Sequence, residues 1–166
     1  FPEIKYKFHA CCHGLHSFLE ALDELKQENN FNPETIEEIA IETNPSWLKV
    51  CNIEKPKTGL ESKFSYKLTA AMSIYGKDTS DLVTYSDDIC FDDNMNNIRD
   101  KVRVIPNDQL TNTQSLISIK DGSRSVQNKH DLSDKIENSI LETKIVNKSV
   151  SLLSETKSNQ ISIILD

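Results

Sequence analysis

The sequence lacks features that mark three classes of protein. It has no run of about 18 apolar residues and no charged segment leading into an apolar one, so we expect neither a membrane span nor a secretory signal. It has no long basic run and its formal net charge is -7, which argues against binding to nucleic acid. The four cysteines include an adjacent pair and do not resemble a disulfide framework, so we expect a reducing, cytoplasmic location.

The chain also lacks internal repeats and low-complexity blocks. Its 166 residues suit one domain spanning 1–166 with a core of its own. The first residue is Phe1 rather than Met, and a cluster of reactive side chains follows within a few residues. We therefore expect an excised piece whose site had neighbours upstream.

The densest ionisable chemistry lies between residues 7 and 16, a segment called here the opening turn. It holds one lysine, three histidines and two cysteines: Lys7, His9, Cys11, Cys12, His13 and His16. Ser17 and Glu20 follow at the spacing of a capping box, and apolar residues at helical spacing come after them. The opening turn should thus lie at a helix N-terminus, where backbone N–H groups favour a bound carboxylate or thiolate.

Hydrophobic periodicity divides the middle of the chain into further elements. Residues 39–43 alternate as in a half-buried strand, and a long connection follows. Apolar residues at spacings of three and four predict a second helix over 60–75 with a buried apolar face. The acidic stretch after it is predicted to be helical over 82–85 and 95–100.

Three strands and a last helix are predicted for the remainder of the chain. Residues 102–105 form one strand, and 114–119 pairs with 123–128 across Asp121-Gly122, since a type I′ turn needs positive φ at both central positions. A polar cap within 131–133 should begin the last helix. The order of elements predicts an α+β domain with helices packed on one face of a small, mainly antiparallel sheet.

The opening turn admits three kinds of chemistry. A metal site would use its imidazoles and thiols, although no second cysteine pair follows at zinc-ligand spacing. A thiol nucleophile would be Cys11 or Cys12, activated by an imidazole and the helix terminus. A carboxylate site would use Lys7 with one or two of His9, His13 and His16, because histidine can take or give a proton near neutral pH. Otherwise, the histidines only satisfy backbone groups of a turn.

A second polar cluster lies at the start of the predicted second helix. Ser65 is interpreted as a helix cap, Lys63 as a solvated end, and Tyr66 either as a core aromatic or as a phenol facing a cleft. The acidic residues around Asp87 and Asp92 lack the spacing of a calcium loop and are interpreted as a solvated face.

Four motifs occur in order along the chain. They are Lys7 with Cys11-Cys12 and His16, then Ser62-Lys63-Phe64-Ser65 with Ala70-Ala71-Met72, then Lys101-Val102, then Asp121-Gly122. Together they resemble the C-terminal domain of the MmgE/PrpD family. That family includes 2-methylcitrate dehydratase, cis-aconitate decarboxylase and iminodisuccinate epimerase.

The resemblance implies the smaller, α+β half of a two-domain enzyme whose all-helical N-terminal domain is absent from this chain. The family's active site lies in the cleft between the two domains, and homodimers are common. Carried over by position, Lys7 and His16 would be catalytic, and Cys12, His13 and Tyr66 would contact the substrate. Cys12 stands where the decarboxylase has a histidine, which departs from that enzyme's pattern. No metal or other cofactor is implied.

We therefore expect a lyase or isomerase domain that acts on small di- or tricarboxylic acids and is incomplete without its helical partner. Removing a proton next to a carboxylate builds enolate-like charge, which cationic donors stabilise. Two alternatives stay open. The domain would only pack against its helical partner or a second subunit if a large apolar face lay exposed beside the opening turn. Otherwise it would be a thiol-dependent or metal-binding module.

Overall fold

A four-stranded sheet backed by helices forms the frame of the structure. The computed structural model describes residues 6–153. The strands are β1 Ile36–Thr43, β2 Val102–Pro106, β3 Gln114–Asp121 and β4 Arg124–Asp131. The helices are α1 His16–Glu28, α2 Pro45–Leu48, α3 Gly59–Ser62, α4 Tyr66–Ile74, α5 Asp93–Asp100 and α6 Asn138–Leu152. The α+β class predicted from the sequence is confirmed.

The sheet has the strand order β2-β1-β3-β4 and is antiparallel except at one pair. Ile39 of β1 lies opposite Ile119 of the antiparallel β3 and opposite Val102 of the parallel β2. The parallel pair was not predicted. It arises because the chain between β1 and β2 contains α2 to α5 and returns in the same direction, as parallel pairing requires a long crossover.

One face of the sheet forms the core and the other is polar. The buried face carries four fully buried isoleucines, Ile39, Ile41, Ile117 and Ile119. Helix α1 packs on β3 and β4, and α4 packs on α1 and β2. On the opposite face Glu38 and Arg103 form an exposed ion pair of 3.2 Å. The expected arrangement, with helices on one face of a mainly antiparallel sheet, is confirmed.

The first helix begins at His16, directly after a 3₁₀ turn at His13–Leu15, and its start corrects one prediction. The N-terminal cap is Leu15, and no side chain caps the helix. The Ser17 hydroxyl instead lies 2.5 Å from the Ser115 hydroxyl of β3, and the Glu20 carboxylate accepts a hydrogen bond from Lys144. The capping box is therefore wrong, because both side chains satisfy long-range contacts in the interior.

The predicted helix over 60–75 is interrupted, so that α3 and α4 are separate. Residues 64 and 65 leave the helical path because the Ile53 N–H donates to the Phe64 carbonyl at 3.0 Å and Asn52 forms a β-bridge with Ser65. Ser65 then caps α4 by accepting from the Leu68 N–H at 3.2 Å, as its interpretation predicted. Leu60, expected on the buried face, is 70% exposed because it lies on the detached α3.

The hairpin between β3 and β4 forms as predicted, but its turn is shifted by one residue. Asp121 and Arg124 are the last paired residues, so the two-residue loop is Gly122-Ser123. Gly122 has a φ of 60°, and no residue other than glycine has positive φ in the described chain. A type I′ turn is therefore excluded, and glycine occupies the first central position, as in a type II′ turn.

The acidic stretch is only partly helical. Residues 82–85 form turns, which corrects the prediction of a helix there. The predicted helix at 95–100 is confirmed as α5, capped by Asp92, whose carboxylate accepts from the N–H groups of Asn94 and Met95. Asp87 accepts from the Gly59 N–H at 2.7 Å, so this acid links two segments rather than only facing solvent.

The last helix begins later than predicted. The chain remains in β4 up to Asp131, whose carboxylate accepts from the backbone and hydroxyl of Ser133 in a tight turn. Helix α6 starts at Asn138 after Glu137, which makes no side-chain cap. None of the helices between residues 6 and 153 combines the length and apolar character needed to cross a bilayer. The tail beyond residue 153 lies outside the described residues.

Candidate active site

The opening turn is held in place by three long-range hydrogen bonds. The Ala10 N–H donates to the Thr79 carbonyl at 2.8 Å, and the Cys12 N–H donates to the Lys63 carbonyl at 2.9 Å. The Tyr66 hydroxyl donates to the Gly14 carbonyl at 2.7 Å. The opening turn is therefore positioned by Lys63 before α4, Tyr66 in α4 and Thr79 after α4, and not only by the helix α1 that follows it.

Gly14 lets the opening turn pass close to the connection after β1. A Cβ atom built on Gly14 would lie 2.5 Å from the Trp47 ring and 2.8 Å from the Cys51 sulfur. Both distances are far below van der Waals contact, so any larger residue here would push the turn away from the indole.

The three histidines of the opening turn lie together, as the carboxylate-site hypothesis requires. The ring of His16 has its centroid 5.2 Å from that of His9 and 5.1 Å from that of His13. His16 is only 1% exposed, and its Nε2 atom has no hydrogen-bond partner among the described residues. Burial, together with the nearby His9, His13 and Lys7, lowers the pKa of His16 to about 3, so its ring is neutral at physiological pH.

His9 connects the turn to a buried charge on α1. Its Nδ1 lies 2.7 Å from the Thr79 hydroxyl, and its Nε2 lies 3.4 Å from a Glu20 carboxylate oxygen. Burial alone would raise the pKa of Glu20, but the nearby His9 ring and the hydrogen-bonded Lys144 ammonium of α6 outweigh it and lower the pKa to about 2. Glu20 is thus a buried carboxylate with two cationic or polar partners.

A cavity of about 620 Å³ opens beside the opening turn. The cationic or basic side chains that line it are Lys7, His9, His13, Lys63 and Lys148. Cys12 also lines it, and Leu60, Phe64, Leu82 and Leu152 supply apolar wall. Among residues 6–153, no aspartate or glutamate lines this cavity. The surface of the cavity is mainly apolar. An excess of positive charge around such a concave site favours a ligand with several negative charges.

Two of the thiols, Cys11 and Cys51, do not support nucleophilic chemistry. Cys11 is 4% exposed, and burial raises its pKa to about 12. Burial likewise raises the pKa of Cys51 to about 12, with Cys12 beside it adding to the effect. Since the thiolate is the reactive form, both side chains are inert near neutral pH. Among residues 6–153, no group of three or more histidine, cysteine, aspartate or glutamate side chains is arranged to hold a metal ion.

Tyr66 lies in the core rather than in the cavity. It is fully buried, its ring packs 5.2 Å from that of Phe18, and its hydroxyl lies 3.1 Å from the Thr43 hydroxyl in addition to donating to Gly14. Burial raises its pKa, so the phenol stays protonated. In this chain Tyr66 is placed to position the opening turn, and it does not itself line the cavity.

Sequence reasoning missed two lysines of the cavity. Lys63 was interpreted as a solvated helix end, yet the turn before α4 directs it toward the ring of Tyr85, with Nζ 5.6 Å from the centroid. The position of Lys63 in the Lys-Phe-Ser motif could have indicated that it belongs to the site. Lys148 had no local signal, because it reaches the cavity only through the tertiary position of α6.

Comparison with known families shows which family the sequence matches. The model of the MmgE/PrpD C-terminal domain matches residues 9–165, which is nearly the whole chain. No curated protein matches the sequence.

Proposed function

Because this chain belongs to the MmgE/PrpD family, as its C-terminal domain, we propose that it forms one wall of an active site for small di- or tricarboxylic acids. The reaction is a lyase or isomerase step that begins with removal of a proton next to a carboxylate. The other wall would come from the family's all-helical domain.

The observation that carries the proposal is the charge of the cavity. Lys7, Lys63 and Lys148 line it together with His13, and no acidic residue in the described part of the chain does so. A monoanion would leave most of this positive charge unpaired, whereas a di- or trianion would neutralise it. Charge-assisted hydrogen bonds from lysine to carboxylate are also about twice as strong as neutral ones.

Lys7 and His13 are the groups of the opening turn that would face the substrate. Lys7 is exposed at the cavity and would pair with the carboxylate beside the reacting carbon. His13 would orient that carboxylate or relay the proton. His16 lies behind His13 and stays neutral, so it would act through His13 and not as a permanent cation. Cys12 would contribute contact area.

The chemistry accounts for a cationic site. When the proton leaves the carbon next to a carboxylate, the electron pair spreads into that carboxylate, and the Lys7 ammonium stabilises the added charge. In a dehydration the pair then forms a double bond as hydroxide leaves the next carbon. In an epimerisation the same carbon takes a proton back on its other face.

The experiment is a ligand titration of the 166-residue chain followed by NMR. 2-Methylcitrate and cis-aconitate are expected to shift the amide signals of Cys12, His13 and Lys63, whereas the monocarboxylate butyrate is not. Lys7→Ala should weaken binding of the polycarboxylates by about tenfold or more, the loss of one charge-assisted contact.

The matched control is Lys129→Ala, which removes an exposed lysine of β4 that does not line the cavity. Its affinity should equal that of the original chain. Equal weakening by both substitutions would mean that only net charge matters, and absence of shifts near the opening turn would refute the site.

A second role is supported by the apolar rim of the cavity. Leu60 is 70% exposed and Leu82 is 47% exposed, and both line the cavity beside the opening turn. The neighbouring Val83 is 82% exposed. We propose that this rim docks the helical domain or a second subunit of a homodimer. Sedimentation of the chain alone and with an added helical domain tests the docking.

A further inference from the structure

Helix α6 reaches the opening turn through lysines and not through a buried apolar face. None of its side chains is buried. Lys144 pairs with the Glu20 carboxylate and lies 5.1 Å over the Phe8 ring, and Lys148 donates to the Ser80 carbonyl at 2.5 Å. One turn apart, these lysines place the same face of α6 toward the site.

The two lysines differ in what neutralises them. The charge of Lys144 is balanced by the buried carboxylate of Glu20. Lys148 instead donates to a neutral carbonyl, and no ion pair joins it to a carboxylate among the described residues. An ammonium group has three N–H donors, so Lys148 can bind a further partner. Lys148 also lines the cavity, whereas Lys144 does not.

The surroundings of Lys148 act on its pKa in opposite directions. Burial lowers its pKa, and the positive Lys63 acts in the same direction, while Asp78 and Asp81 on the nearby loop oppose both. Those two acids do not line the cavity. Lys148 lines the cavity together with Lys7 and Lys63. Positive charges held close together favour the binding of an anion that contacts all of them.

We propose that Lys148 is a specificity-determining residue that binds a distal carboxylate of the substrate and so favours tricarboxylates over dicarboxylates. The proposal rests on the proposed function of the cavity and adds α6 to its walls. Lys7 would hold the carboxylate beside the reacting carbon. Lys63 and Lys148 would hold the other two, and a dicarboxylate would leave Lys148 on the Ser80 carbonyl.

The test uses calorimetric titration of the 166-residue chain with tricarballylate, which has three carboxylates, and with succinate, which has two. Lys148→Met keeps most of the length of the unbranched side chain and removes its charge. It should weaken tricarballylate binding by about tenfold or more and leave succinate binding within about twofold. Lys148→Arg should retain at least part of the preference, because it keeps a cation at this position.

Two controls separate the possible failures. Lys129→Met, which alters an exposed lysine outside the cavity, should change neither affinity. Thermal melts should also match for all variants. If Lys148 had a merely structural role, its replacement would destabilise the fold and lower the affinity for both acids together.

The results also distinguish this inference from the proposed function. Equal loss for both acids, or no loss for either, overturns the assignment of Lys148 while Lys7→Ala still weakens binding. If the original chain binds neither acid, the proposed function and this inference both fail.

Discussion

At the scale of single residues, His16 combines deep burial with a titratable ring. Its pKa of about 3 in the folded chain lies well below the ordinary value of 6.5, because burial and two neighbouring imidazoles disfavour the charged form. Above pH 6.5 the ring is neutral in both folded and unfolded chains. Below pH 6.5 the His16 ring takes up a proton in the unfolded chain but stays neutral in the folded chain. The free energy of unfolding therefore decreases as the pH is lowered.

We predict that the free energy of unfolding depends on pH between pH 6.5 and 5. The free energy of unfolding should fall by up to about 1.4 kcal/mol per pH unit from His16 alone. Glu20 contributes separately, since its lowered pKa gives stability that is lost only as pH falls from about 4.5 toward 2. His16→Asn should flatten the slope above pH 5. Urea unfolding at several pH values measures it.

The control replaces a histidine outside the cluster. His130 of β4 lies 2.9 Å from Glu24 at a partly exposed site. His130→Asn should leave the slope from His16 in place. An unchanged slope in His16→Asn would contradict the assignment of the acid sensitivity to the buried ring.

At the scale of elements, α4 depends on its cap. The Ser65 hydroxyl accepts from the Leu68 N–H in a fully buried setting. Ser65→Ala should lower the free energy of unfolding by about 1 to 2 kcal/mol, since it leaves a buried helix N–H without a partner. Urea unfolding at neutral pH measures the change.

Ser123→Ala is the matched substitution, because Ser123 lies exposed in the β3–β4 loop. It should change stability by less than about 0.5 kcal/mol. Equal losses in the two variants would show that the cap contributes nothing specific.

The elements were predictable wherever a local pattern decided them. Alternation identified β1, and apolar spacing identified α1 and most of α4. The failures came where a distant contact outweighed the local pattern. Ser17 bonds to Ser115 instead of capping α1, and the pairing of Asn52 with Ser65 interrupts the second helix.

The site was predictable in part for the same reason. The opening turn is contiguous, so its lysine and histidines could be grouped from spacing alone. Lys148 lies more than a hundred residues later, and only the packing of α6 brings it to the cavity. Tyr66 could be placed beside the turn by motif, but its burial depends on the whole core.

At the scale of the whole molecule, the cavity is open on one side. If the helical domain supplies the missing wall, the 166-residue chain alone should not turn over 2-methylcitrate, cis-aconitate or iminodisuccinate, because catalytic groups must be positioned within about 0.5 Å. Steady-state assays of the chain and of the two-domain protein make the comparison. Turnover by the isolated chain would contradict the shared-cleft proposal.

The parallel pairing of β1 with β2 has a consequence for the order of folding. β1 is a central strand, yet both of its neighbours come much later in the chain, from residue 102 onward. During synthesis its hydrogen-bonding edges stay open until those strands emerge, and contacts so distant in sequence slow folding. The opening turn is synthesised before the segments at Lys63 and Thr79 that hold it, so it reaches its final position only after they emerge.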